Sequence, residues 1–110
     1  MRRIVIALGG NALLKKGGTG QAKEQLKTAK RAITKMSKII LENQVVLTHG
    51  NGPQVGNLLL KQQADKKLPA MPLYVLDAMT EGQIGYFLAT ALSTIGVHCA
   101  SLITRVIVDP

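Results

Sequence analysis

Aromatic residues are almost absent: Tyr74, Tyr86 and Phe87 are the whole set, and tryptophan is missing. Single-stranded nucleic acids are held largely by bases stacked on aromatic rings, so the means for a stacking platform are nearly absent. Burial therefore has to rest on Ile, Leu, Val, Ala and Met. Cysteine occurs once, at Cys99, which rules out an internal disulfide and a Cys-rich metal site. No stretch reaches the ~18 consecutive apolar residues of a membrane-spanning helix. Arg2 and Arg3 precede an apolar run that could imitate a secretory signal, but Asn11, Lys15 and Lys16 interrupt it too early. These absences fit a cytoplasmic protein with no membrane partner.

What is present suits an α/β protein: 46% hydrophobic residues over 110 positions and 11 glycines. Six acidic residues against fourteen Lys and Arg give a net charge of +8, much of it between Lys15 and Lys38. Such a balance raises the question of a polyanion partner. A basic run on an amphipathic helix ordinarily faces water, and with no stacking aromatics the expectation is no nucleic acid.

Arg3 to Leu8 is a short β-branched run stopped by Gly9-Gly10, which predicts a central parallel strand buried on both faces. Leu13 to Gly20 has neither helical nor strand periodicity and reads as a mobile loop. From Gln21 to about Asn43, Leu26, Ala29, Ile33, Met36 and Ile40 recur at helical steps. Val45 to Thr48 predicts a second buried strand, stopped by His49-Gly50-Asn51-Gly52. Pro53 suits the first turn of a helix running to about Lys66. Pro69 and Pro72 break it. A further helix is predicted from Ala78 to about Ile95, with Gly82 and Gly85 admitting close approach of another backbone, and a third strand from Ser101 to Val108. Strand, helix, strand, helices, strand is the order of a parallel α/β sheet. The chain stops at Asp109-Pro110, directly after this β-forming run, which reads as a cut in a longer sheet.

Two segments share one design, a buried strand leading into a Gly-rich turn: Ala7-Leu8-Gly9-Gly10-Asn11-Ala12 and Thr48-His49-Gly50-Asn51-Gly52-Pro53-Gln54. Both turns should lie at carboxyl ends of parallel strands, where open α/β sheets bind ligands, and so be neighbours. Glycine lets backbone N–H groups converge on phosphate oxygens, and a following helix adds its dipole. Asn11 and Asn51 add side-chain donors. The candidate phosphate site is therefore Gly9, Gly10, Asn11, Gly50, Asn51 and Gly52. Neither a P-loop nor a Gly-x-Gly-x-x-Gly fingerprint is present.

Four stretches resemble motifs of the carbamate kinase family: Ala7 to Leu13, His49-Gly50-Asn51-Gly52-Pro53-Gln54-Val55-Gly56, Ala78-Met79-Thr80-Glu81-Gly82-Gln83-Ile84-Gly85-Tyr86, and Thr104 to Pro110. They come in the family's order and span the chain. The resemblance implies an open αβα sandwich of the amino-acid kinase superfamily with a mainly parallel sheet, incomplete here. On it, residues 1–110 form the N-terminal part that binds carbamate and carbamoyl phosphate, and the later nucleotide-binding part is absent. It also implies ATP/ADP and Mg2+ as cofactors, a homodimer, and a place in arginine metabolism. The catalytic lysines it implies lie beyond Pro110, so the 110 residues alone should be inactive. Related kinases often carry lysine two residues before the first Gly-Gly; Ala7 stands there, as in carbamate kinases. Glu81 departs from the family's usual glutamine and receives no catalytic role.

Two other readings accompany this one: a catalytically dead truncated relative that at most binds phosphate or dimerises, and a kinase of another small carboxylate or phosphate. His49 could be read as a general base, but carbamate already offers an anionic oxygen and needs no proton removed. Structural support or ligand contact is the expected role. His98 and Cys99 read as packing residues, and no pair of ligands has metal spacing. Asp77 and Asp109 read as surface or helix-capping residues, and Lys15 and Lys16 as solvated.

Overall fold

The computed structural model of the chain describes residues 1–9, 12–15 and 17–110. Strand β1 (Arg3–Leu8) and strand β2 (Gln44–His49) pair in parallel, in register from Arg3 opposite Gln44 to Leu8 opposite His49. Between them run helices α1 (Ala22–Lys35) and α2 (Ser37–Glu42); α3 (Gly52–Gln63) and α4 (Leu73–Ser93) follow. Parallel pairing requires a crossover, and α1 with α2 supplies it. The result is a partial α/β sheet of two strands among the described residues.

The core forms where α1 and α4 meet one face of this sheet. Ala29 and Ile33 of α1 and Ile84, Leu88 and Leu92 of α4 are buried, and Ile6, Leu8, Val45 and Leu47 pack against them from the strands. The opposite face differs from the expectation of strands buried on both sides: Val5 is 68% and Val46 60% exposed. Alternation along a strand sends neighbouring side chains to opposite faces, and the helices that close the core lie on only one of them.

The single helix predicted from Gln21 to Asn43 is broken at Met36, whose φ of −102° and ψ of 4° leave the helical region. Burial keeps its phase across the break, with Ile33 and Ile40 both in the core, which is why the spacing did not reveal it. Helix α4 starts at Leu73, five residues before the predicted Ala78. Pro72 serves as its N-cap, and its carbonyl accepts from the N–H groups of Val75 at 3.0 Å and Leu76 at 3.2 Å. Pro72 opens this helix, where its fixed φ suits an entry.

The predicted strand from Ser101 to Val108 is not formed; the segment is irregular and exposed. A strand needs a neighbour's N–H and C=O groups, and β-forming side chains alone do not create one. The segment instead runs beside α4. Glu81 accepts from the Thr104 N–H at 3.1 Å and from its hydroxyl at 3.0 Å. Ser101 sits so close to Gly85 that a Cβ there would lie 2.8 Å from Ser101 Oγ. Gly85 thus admits a close neighbour as expected, whereas a Cβ on Gly82 would meet nothing within 4 Å. Gly82→Ala should therefore raise stability by about 0.5–1 kcal/mol, from helix propensity and a less flexible unfolded chain. Gly85→Ala should lose that gain and free residues 101–104 to proteolysis; paired thermal unfolding and limited digestion check both.

Leu13 to Gly20, expected to be a mobile loop, is irregular but anchored among its described residues. Leu13 is in the core, the Gly18 N–H donates to the Lys15 carbonyl at 2.8 Å, and Gln25 Nε2 donates to the Gly20 carbonyl at 2.8 Å. Gly17 and Gly20 take φ values of 81° and 75°, which glycine adopts without strain. Glu24 accepts from the Thr19 hydroxyl at 2.7 Å and the Thr19 N–H at 3.0 Å. Those hydrogen bonds, helped by Lys15, hold its carboxyl below the usual glutamate range against a small desolvation effect. A lowered carboxyl stabilises the fold above its unfolded pKa and stops doing so as pH falls through the folded value. The Thr19 amide resonance should accordingly titrate with a midpoint below that of a solvent-exposed glutamate, and Glu24→Gln should abolish that titration.

Candidate functional site

Because β1 and β2 pair in register to their ends, the two Gly-rich turns begin opposite each other at Leu8 and His49. The Gly50 N–H donates to the Leu8 carbonyl at 3.1 Å, tying the second turn to the end of β1. The expectation that the turns are neighbours holds. The first turn is closed by the Ala12 N–H donating to the Gly9 carbonyl at 2.9 Å. Gly10, Asn11 and Lys16 lie outside the described residues.

Gly9 and Gly52 are glycines that packing among the described residues does not require. A Cβ at either would meet no described atom within 4 Å, and neither is among the described glycines with positive φ. Both turn ends thus leave room beside the backbone, where glycine permits close approach. Helix α3 begins at this point with Asn51 as N-cap, proline in its first turn and no acidic residue there. Its dipole therefore presents partial positive charge that no carboxylate of its own first turn offsets.

The side chains around the turns are turned inward. His49 is half-buried, with Nδ1 3.2 Å from the Gly50 carbonyl; a carbonyl only accepts, so the bond requires the proton on Nδ1. Asn51 Nδ2 donates to Thr80 Oγ1 at 2.9 Å, to Asp77 Oδ1 at 2.5 Å and, more weakly, to the Asp77 carbonyl at 3.3 Å. Thr80 is fully buried and its hydroxyl donates back to the carbonyls of Leu76 or Asp77. The second turn is thus fastened to α4 through Asn51.

Sequence reasoning missed a seam of buried amides behind the turns. Gln25 and Gln54 are each 3% exposed, and Gln83 Nε2 donates to Gln25 Oε1 at 3.3 Å. With Gly20, Asn57 and Lys61 they line a cavity of about 50 Å3. The signal was helical spacing: Gln25, Ala29 and Ile33 fall on one face of α1, but glutamine does not count as apolar in such a pattern.

His98 and Cys99, expected to pack, are exposed in the irregular stretch after α4; without a strand there, nothing covers them. Among the described residues no group of three His, Cys, Asp or Glu could hold a metal ion, and the Asp77 carboxylate is engaged by Asn51. These residues do not offer the oxygen set that Mg2+ requires. None of the described helices is long and apolar enough to cross a membrane.

Comparison with known proteins follows the same outline. The family model described as "Amino acid kinase family" matches residues 2–108. A carbamate kinase of Thermococcus kodakarensis is 44% identical over 120 residues, covering 99% of this chain and 38% of the relative. One from Rhizobium meliloti is 48% identical over 110 residues, covering 97% of this chain and 34% of the relative. Among solved structures, a carbamate kinase from Giardia lamblia bound to AMP-PNP superposes with a TM-score of 0.79 at 43% identity, covering 84% of this chain and 33% of that one. The chain spans 34–38% of the length of these two curated relatives.

Proposed function

The chain belongs to the amino acid kinase family, and on that premise we propose that its protein is a carbamate kinase, transferring a phosphoryl group reversibly between ATP and carbamate. The observation that carries this reading is the pair of adjacent Gly-rich turns, in register at the ends of parallel strands, with Gly9 and Gly52 open to a close neighbour. The kinship with carbamate kinases along nearly the whole chain supports the choice of substrate.

Phosphoryl transfer asks little covalent chemistry of a protein; it asks for alignment and for charge stabilisation at the transferred group. Gly9, Gly10, Asn11, Gly50, Asn51 and Gly52 cradle that group. Asn51 contributes through its backbone, since its amide donors are engaged by α4. The α3 N-terminus adds its dipole toward the anion. Carbamate supplies its own anionic oxygen, so no base is needed, consistent with a His49 ring bonded to its own turn. Residues 1–110 are the carbamate-side part of the fold. ATP or ADP as the second substrate, with Mg2+, a homodimer and a cytoplasmic location, belong to the same reading. No step is assigned to the metal, because the described residues do not fit one.

The test is a substrate panel on the complete translated protein, scoring ATP formed from ADP and each acyl or amino-acid phosphate. Carbamoyl phosphate should exceed acetyl phosphate and the amino-acid phosphates by at least an order of magnitude in kcat/KM. Preference for another phosphate would move the protein to a different branch of the family.

A further inference from the structure

Asn51 is the N-cap of α3 yet makes no side-chain cap there. Asparagine is among the best N-cap residues because its side-chain oxygen takes the N–H of the second or third helical residue. Here the side chain is drawn instead to α4, where Asp77 Oδ1 and Thr80 Oγ1 receive its amide hydrogens at 2.5 and 2.9 Å. An amide nitrogen has two hydrogens, and both are engaged. The assignment of its ends follows from the partners, since a carbonyl and an ionised carboxylate can only accept. Thr80 is fixed within the buried face of α4, whereas Asp77 is exposed and its carboxylate has no other hydrogen bond among those described.

We propose that Asp77 is a positioning residue of the phosphate turn: it holds the Asn51 amide on α4 and so keeps the N-cap side chain from folding over the first turn of α3, leaving that helix end to the anionic substrate. This rests on the phosphate-site reading of the two turns. An N-cap asparagine and a bound phosphate compete for the same helix end. Removing the carboxylate at 77 leaves Thr80 Oγ1 and the more distant Asp77 carbonyl as the acceptors on α4, a weaker hold that shifts the asparagine toward capping its helix, which favours the fold and disfavours the ligand. Those opposite signs separate a positioning role from a merely structural one.

The experiment compares Asp77→Ala and Asp77→Asn in the complete protein. Asp77 is exposed within α4, so alanine there does not endanger folding. The expected result for Asp77→Ala is a rise in KM for carbamoyl phosphate of roughly 2- to 10-fold, the worth of about one net hydrogen bond. KM for ADP should stay unchanged, with a melting temperature equal to or above that of the parent. Asp77→Asn keeps an acceptor oxygen and should restore the parent KM. An unchanged KM for carbamoyl phosphate, equal rises in both KM values with a lowered melting temperature, or an asparagine variant as impaired as alanine would overturn the proposal. If the parent shows no turnover, the kinase reading fails by itself, and inorganic phosphate titrated against the Gly50 and Gly52 amide resonances takes over. Weaker phosphate binding in Asp77→Ala than in the parent supports the positioning role, and equal binding overturns it.

Discussion

Gly52→Val should leave the protein folded and lower kcat/KM for carbamoyl phosphate by about 100-fold or more, roughly 2.7 kcal/mol of transition-state stabilisation. The separation of effects follows from position. A Cβ at residue 52 meets nothing described within 4 Å, so a side chain can start there without displacing a described neighbour. Valine is no worse than glycine as a helix former, so the melting temperature should move little. On the proposed phosphate site, the same side chain competes with a phosphoryl oxygen for the backbone N–H groups at the start of α3. Losing one preorganised donor set of this kind typically costs about 2.7–4 kcal/mol in the transition state. Steady-state kinetics and a thermal melt on the same sample check both halves. Loss of activity accompanied by loss of folding would mean that Gly52 is a structural glycine after all.

The second large effect concerns stability. Ile33→Ala should destabilise the protein by about 2–5 kcal/mol, the combined loss of transfer energy and of packing around the cavity left behind. Ile33 is fully buried where α1 meets α4 and the inner face of the sheet. Native proteins have about 5–15 kcal/mol of stability in total, so one such change consumes a large share of it. Leu60→Ala, at a side chain 66% exposed on α3, should change stability by no more than about 0.5 kcal/mol. Denaturant midpoints of the two variants would separate the inner layer from the surface directly.

Much of this arrangement could be read in the sequence because local and global signals agree. Arg3 to Leu8 is at once β-branched, apolar and stopped by glycines, and it forms β1 with those bounds. Pro53 opens α3 for the reason expected of a proline without an N–H to satisfy. The adjacency of the two turns was legible too, because parallel strands joined by a crossover must end on the same edge.

What was not legible depends on partners remote in sequence. The predicted strand from Ser101 to Val108 carries β-forming side chains, but a strand exists only where another strand receives its backbone. Pro72 looks the same in a sequence whether it stops a helix or opens one, and here it opens α4. Asn51 was expected to point at phosphate; the hydroxyl and carboxylate that take its amide lie 29 and 26 residues away. No local pattern announces such a bond. Gln25 and Gln54 escaped because burial of an amide is set by the hydrogen bonds available to it, not by its hydropathy. Of the proposed phosphate site, then, the turns themselves were readable, whereas the fastening of one of them to α4 was not.

The most direct test is ATP formation from carbamoyl phosphate and ADP in the presence of magnesium, measured on the complete translated protein after folding has been verified by circular dichroism. Steady ATP production that depends on both substrates, and that falls about 100-fold in Gly52→Val, is the predicted result. A folded protein that forms no ATP from this pair, or forms it equally well with valine at position 52, would contradict the assignment of the two turns to the transferred phosphoryl group.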